Sequence, residues 1–272
     1  MRLQDKVIIV TGGCTGIGKA IVHRCVAEGA SVVINGLQQD LGDHLVSELG
    51  AENAVLHIED LTNEGCQQRL VDLAIQRFGK INAVVNNAAL IAAGNIHTTD
   101  SDFFRKMLEI NTLAPFRLIK AALPQLRLTR GCVLNIGSVN AYCGEPDLLP
   151  YSVSKGALMT MTRNLGDTLM QEHGVRVNQI NPGWTLTDAE QKRKLEEGLG
   201  EEWYADLPEV FAPSGRILWP KEIAAAAMYW LDDECGPISG QVVDLEQHPF
   251  IGRNPPKDTS TIPEIQARGA SD

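Results

Sequence analysis

The sequence predicts an α/β chain: one Rossmann-type doubly wound parallel sheet of about seven strands, with helices on both faces. Three observations predict it. Short Val/Ile/Leu-rich runs alternate with longer amphipathic stretches, the pattern of strand–helix–strand units. The runs are apolar almost throughout rather than at every second residue, so both faces of each strand are expected to be covered. A glycine-rich turn, Thr11-Gly12-Gly13-Cys14-Thr15-Gly16-Ile17-Gly18, follows the first run directly and opens a helix.

Taken in order, the expected strands are Val7–Val10, Ser31–Ile34, Ala54–Ile58, Ala83–Val85, Val133–Ile136, Val175–Ile180 and Gln241–Leu245. Helices are expected near 17–28, 38–49, 63–78, 100–122, 151–172 and 221–231. The stretch 188–212 reads as a polar, helical insertion before the last helix, placed as a lid over the substrate. Residues 1–248 form one domain on this reading. Residues 249–272, with Pro249, Pro255, Pro256 and Pro263, form a tail that is loose or laid across a neighbouring subunit.

Composition narrows the function. At 272 residues and 44% hydrophobic, the chain can bury a full-sized core. A net charge of -10 argues against nucleic acid or an anionic membrane as a partner, since phosphate binding needs clustered Lys and Arg. No apolar run is long enough to span a bilayer, and the first ten residues have no signal-peptide pattern. The expected location is the cytoplasm. Six cysteines without zinc spacing read as free thiols, and no metal site is expected. Cys143, on a loop after Ser138, is the cysteine nearest the expected chemistry.

Two motifs carry the chemistry. In the glycine turn, glycines let a pyrophosphate approach closely, and the helix N-terminus offers unpaired N–H groups and a positive dipole end. Tyr151 and Lys155 lie one helical turn apart, on one face. A phenol titrates near ~10, and a neighbouring ammonium is expected to pull it down towards the range useful for proton transfer. Ser138 could hydrogen-bond the same substrate oxygen.

The set, in one order, is Thr11-Gly12…Gly16-x-Gly18, Asp60-Leu61, Asn86-Asn87-Ala88-Ala89, Asn111, Ser138, Tyr151-x-x-x-Lys155 and Asn181-Pro182-Gly183-x-x-x-Thr187. Over about residues 5–246 the chain resembles the classical short-chain dehydrogenase/reductase family. The resemblance implies a catalytic tetrad of Asn111, Ser138, Tyr151 and Lys155. Tyr151 would be the acid/base, Ser138 would hold the substrate oxygen, Lys155 would also bind the nicotinamide ribose, and Asn111 would anchor a water in the proton relay.

The resemblance further implies a dinucleotide site of Gly12, Thr15, Gly16, Ile17 and Gly18, with Gly36 and Leu37 at the end of strand two. Asp60 and Leu61 would lie at the adenine, and Asn87 and Ala88 by the adenosine ribose. Pro182 and Gly183 would wall the nicotinamide, and Thr185 and Thr187 would reach its carboxamide or the phosphates. The bland alternatives are a turn for Asp60, a strand end for Asn87 and Ala88, and helix capping for Thr187. Asn140, Tyr142, Trp184 and Ile91 would face the substrate together with Ser138 and Tyr151. Trp184 would stack on a ring or simply brace the lid.

Departures from the family pattern bear on the cofactor. Gly36 stands where NAD users carry an acid. No Lys or Arg occurs between Arg24 and Arg69, so a ribose 2'-phosphate would meet no cation from strand two. The expectation is NAD rather than NADP. Asn86-Asn87-Ala88-Ala89 ends in Ala where Gly is usual. Val243-Asp244-Leu245-Glu246-Gln247-His248 replaces the usual Asp-Gly-Gly, and His248 reads as a surface imidazole, with reach to the substrate as the alternative.

The implied activity is hydride transfer between NAD(H) and a secondary alcohol or ketone. A sugar, polyol or hydroxy acid leads, and the acidic lid weighs against a phosphorylated substrate despite Arg127 and Arg130 near the expected entrance. The alternatives are an NADPH-dependent 3-oxoacyl-type reductase and, in another class, a non-catalytic dinucleotide-sensing or scaffold protein. A homotetramer or homodimer is the assembly the resemblance implies.

Overall fold

The computed structural model describes residues 1–142, 144–205 and 207–249. Seven strands form one parallel sheet: β1 (Val7–Val10), β2 (Ser31–Gly36), β3 (Ala54–Ile58), β4 (Ala83–Asn86), β5 (Cys132–Ile136), β6 (Arg176–Pro182) and β7 (Val242–Leu245). Their order is β3-β2-β1-β4-β5-β6-β7, and every neighbouring pair is parallel. The order reverses between β1 and β4, which opens a crevice at their C-terminal ends.

Strand alternation builds two cores. Ile8, Val10, Val32, Ile34 and Leu134 meet α1 (Gly16–Ala27), α2 (Gln39–Leu49) and α8 (Pro220–Leu231) on one face. Val7, Ile9, Val33, Val84 and Val133 meet α3 (Cys66–Phe78), α5 (Ala114–Thr129) and α6 (Leu149–His173) on the other. Burial on both faces is what the unbroken apolar runs require.

Three expected elements differ. The helix expected over 100–122 is divided into α4 (Ser101–Leu108), a π-helical turn at Glu109–Leu113, and α5. Pro115 cannot donate to residue 111, and its ring crowds that carbonyl, so the ladder shifts by a residue there. The third helix starts at Cys66 rather than 63, because Asp60 accepts from both the backbone and hydroxyl of Thr62 (2.8 Å each) and holds a turn. The 188–212 insertion is helical only over α7 (Asp188–Glu196), with a 3-10 turn at Trp203–Ala205. Among the described residues no helix is long and apolar enough to cross a membrane. The expectations for Cys143 and for residues 250–272 of the tail lie outside the described residues.

Candidate active site

The glycine turn is built by close approach. Gly12 and Gly16 have positive φ (61° and 53°). A Cβ on Gly18 would meet the Gly12 carbonyl oxygen at 2.1 Å, and one on Gly12 would meet the Ala88 Cα at 2.9 Å. Asn87 donates its amide to the Thr11 and Gly12 carbonyls (2.9 and 3.0 Å), while the Thr11 hydroxyl accepts from the backbone of Asn87 and Ala88 (3.0 and 3.1 Å). Asn87 is thus spent on holding the turn.

Helix α1 starts from Thr15 with no side-chain cap and no acid in its first turn. Its first N–H groups therefore face the crevice unopposed by an anion, as a pyrophosphate needs. Thr187 lies against this turn, 3.3 Å from a Cβ placed on Gly16. Its own hydroxyl caps α7 by accepting from Glu190 N (3.1 Å). A dinucleotide fits this cradle.

At the end of β2, a Cβ on Gly36 would fall 2.3 Å from the Cys14 sulfur. The thiol fills the space where an acidic side chain would start. Leu37 beside it is 62% exposed. Leu61 is buried, and Asp60 serves the turn already described. Glu59 next to it is held by Arg69 and His57, the latter at 2.8 Å, and Arg69 holds its carboxyl down at about 2. Cys66 joins His57 and Glu59 with ligand atoms within 4.8 Å. Burial pushes that thiol up to about 12, and Glu59 is already engaged by a guanidinium, so the cluster anchors the loop that carries Asp60.

The four tetrad residues come together at the mouth of the crevice. Tyr151 and Lys155 lie on α6, 6% and 2% exposed, with the Lys155 Nζ 5.8 Å from the phenol ring centroid. Lys155 donates to the Ile136 carbonyl (2.8 Å). Asn111 sits in the π-helical turn. It grips Leu90 from both sides, accepting from its N–H (2.8 Å) and donating to its carbonyl (2.9 Å), and reaches Ser154 Oγ on α6 (3.0 Å). Ser138 caps a 3-10 turn at Val139–Ala141 by accepting from Asn140 N (3.2 Å). Asn140 and Tyr142 follow on the same turn, both half-buried, and Ile91 is exposed.

The electrostatics correct one expectation. Burial pushes the Tyr151 phenol up to about 12, Glu145 acts in the same direction, and the hydrogen bond from Ser138 opposes them without prevailing. Lys155 is pulled down to about 8 by burial. Burial therefore sets the phenol in the resting protein, and Lys155 beside it does not acidify it.

Sequence reasoning missed the support beneath the tetrad. Asp244 Oδ1 accepts from the Tyr142 hydroxyl (3.1 Å) and Asn181 Nδ2 (3.0 Å). Asn181 Oδ1 accepts from Ser138 N (3.2 Å) and Gln179 (2.7 Å). The chain continues through Thr162 and Asn135 to Asn86. Five strand positions on β4–β7 and one helix residue thus form one buried polar ladder that fixes the Ser138 turn. Its signal was a polar residue at matching depth in successive apolar strands, Asn86 opposite Asn135 and Asn135 opposite Gln179.

The segment expected to form a lid is held differently. Trp184 stacks on Trp203 (centroids 5.3 Å apart), donates Nε1 to Glu190 (2.8 Å), and carries the Lys194 ammonium 5.8 Å from its ring. Trp184 braces the lid. Trp203, Tyr204 and Trp219 continue the aromatic contacts. Thr185 donates to the Gly183 carbonyl (3.0 Å), and Pro182 ends β6. Arg127 and Arg130 stand at the C-terminal end of α5, which leads into the start of β5. That is the edge of the sheet away from the strand C-termini, so they do not flank the entrance.

Comparison with known proteins agrees with this geometry. Residues 6–198 match the family model described as short chain dehydrogenase. The chain is 38% identical over 231 residues to mouse (Mus musculus) L-fucose dehydrogenase, covering 84% of this chain and 82% of that protein. It is 30% identical over 239 residues to the NADP-dependent (R)-specific alcohol dehydrogenase of Lentilactobacillus kefiri, covering 86% and 92%. Among solved structures, a short-chain glucose/ribitol dehydrogenase from Brucella melitensis superposes with a TM-score of 0.80 at 26% identity, covering 90% of this chain and 96% of that one.

Proposed function

From the premise that this chain belongs to the short-chain dehydrogenase/reductase family and is an oxidoreductase of CH–OH groups, we propose that it oxidises a secondary alcohol of a sugar, polyol or hydroxy acid with NAD. The observation that carries the proposal is the convergence of Tyr151, Ser138 and Lys155, all nearly sealed from water, at the strand ends beside the glycine cradle. Bound nicotinamide supplies the hydride acceptor. Ser138 holds the substrate hydroxyl. The positive charge of an oxidised nicotinamide would favour the ionised phenol, and Tyr151 as phenolate takes the proton as the carbon is oxidised; in reduction the neutral phenol returns it. Lys155 binds the ribose, and Asn111 fixes Leu90 and the start of α6.

NAD is favoured by charge. The end of β2 offers Gly36 and Leu37, and Arg69, the first cation after Arg24, is committed to Glu59. A 2'-phosphate would be desolvated there without compensation. A sugar-like substrate is supported by the Ser138 hydroxyl beside the phenol, by Asn140 on the same turn, and by the name of the mouse relative. The NADP-dependent relative makes the NADPH-linked reductase the second reading. A sensing or scaffold role without turnover leaves the buried tetrad unexplained.

Five described cysteines are free and buried, in keeping with the cytoplasm. Leu113, Phe116 and Val153 on one face, and Tyr229, Ile238 and Val243 on another, are exposed apolar side chains. They suit the two pairing surfaces of a homotetramer.

The test is a screen of sugars, polyols, sterols and hydroxy acids against NAD and NADP, read by nicotinamide absorbance. NADH should form with a sugar, polyol or hydroxy acid, with kcat/KM at least about tenfold above that with NADP. Preference for NADP refutes the charge argument, and binding without turnover across the panel supports the scaffold reading.

A further inference from the structure

We propose that Glu246 and Gln247 are positioning residues, forming a two-residue strap that holds the cofactor wall and the base of the substrate lid from one point on the chain. Glu246 stands where the family resemblance leads one to expect a glycine, Gln247 comes next, and both follow β7 directly. The Glu246 carboxylate accepts from Trp184 N (3.1 Å) with one oxygen and from Gln247 N (2.7 Å) with the other. Gly183 N donates to the Leu245 carbonyl (2.8 Å) beside it. A Cβ on Gly183 would fall 1.8 Å from Glu246 Oε2, so the carboxylate fills the space under that glycine. The turn leaving β6 is thereby set by a charged acceptor, and charge-assisted bonds of this kind are the strong ones.

Gln247 works on the other side. Its oxygen accepts from Ser214 N (3.0 Å) and Ser214 Oγ (2.6 Å), and its Nε2 donates to the Arg216 carbonyl (2.6 Å). All polar atoms of the amide but one hydrogen are committed to the Ser214–Arg216 turn that leads back from the expected lid. The segment that follows is tied to the wall a second time. Leu218 N donates to the Trp184 carbonyl (2.9 Å), and Leu186 N to the Leu218 carbonyl (2.8 Å). The wall and the base of the expected lid therefore meet at the strap, with Glu246 on the cofactor side and Gln247 on the substrate side.

The inference rests on the reading of Pro182–Gly183 as the nicotinamide wall for its binding effects, but not for its structural effects. The experiment separates the two. Hydrogen exchange on the whole protein is followed for Glu246→Ala and Gln247→Ala, alongside NADH affinity by fluorescence and substrate KM. In Glu246→Ala the Trp184 segment should exchange about tenfold faster, and the NADH Kd should rise about tenfold. In Gln247→Ala the Ser214–Arg216 segment should exchange faster and KM should rise about fivefold, with the NADH Kd within about twofold of wild type. Glu246→Gln, which keeps one acceptor oxygen, should recover part of the affinity. If wild type binds no dinucleotide, the cofactor reading fails while the exchange result still decides the strap. Unchanged exchange in both segments overturns the proposal. So does a parallel loss of Kd, KM and melting temperature in both variants, the mark of general destabilisation.

Discussion

The cofactor half and the lid half of the crevice are held by opposite means. The glycine turn, Asn87, Thr11 and the Asp244-to-Asn86 ladder are buried or part-buried hydrogen bonds that link neighbouring strands, one of them through Thr162 on α6. The expected lid, 188–212, and the segments that flank it are held by aromatic stacking and by half-exposed ion pairs such as Arg193–Glu190 and Arg216–Glu222. Buried networks are costly to break because each lost bond leaves a desolvated partner. Exposed ion pairs contribute little each. The half proposed to hold the cofactor rests on bonds that are costly to lose, and the half proposed to admit a substrate rests on contacts that each contribute little.

The largest break comes at the junction of the halves. Tyr151→Phe removes one oxygen and leaves the ring packed on α6. Turnover should fall about 10³-fold, within the range general acid–base groups supply, while NADH affinity stays within about twofold. Steady-state kinetics and fluorescence titration check this. Wild-type turnover would remove Tyr151 from the mechanism.

The cofactor half makes a graded prediction through Lys155. Burial holds its ammonium down to about 8, and the proposed bond to the ribose is stronger from the charged form than from the neutral amine. Dinucleotide affinity should be full below pH 8 and decline above it, approaching tenfold per pH unit. Tyr151, up at about 12, stays protonated across that window. Lys155→Met should weaken binding and flatten the profile, and a flat wild-type Kd from pH 6.5 to 9.5 would refute the role. The same depression makes the fold more stable as pH rises from about 8 towards 10.5, because the unfolded chain keeps the proton over that range.

The two halves were unequally legible in the sequence. Strand runs and the glycine turn announce themselves because burial on both faces and close backbone approach each demand a narrow residue choice. The Tyr151–Lys155 pair was legible from spacing on one helix, whereas Asn111 and Ser138 were assigned beside it by the family resemblance. The pKa of Tyr151 was not, since desolvation depends on what the fold stacks around it. The division of α4 from α5 was signalled by Pro115, yet the amphipathic pattern runs through it. The ladder was hidden because its members lie 49 or more positions apart where strands β4 and β5 pair, and a lone Asn in an apolar strand carries no sign of its partner. The lid was least legible. Its composition is polar, so the acids near 196–202 drew attention, whereas Trp203, Tyr204 and Trp219 organise it.

The smallest break sharpens that last contrast. Trp203→Ala removes the face on which Trp184 stacks and the Nε1 donor to Gln191 (2.8 Å). Aromatic pairs contribute about 0.5–1.5 kcal/mol beyond their buried area. For a chain of this size, the melting temperature should fall by only about 3 °C. The lid loses its brace, so substrate KM should rise about fivefold while NADH affinity stays within about twofold, because the glycine turn and the ladder are untouched. A matching loss of cofactor affinity would mean that the halves are mechanically one unit, and the division of labour between buried network and replaceable lid would fall.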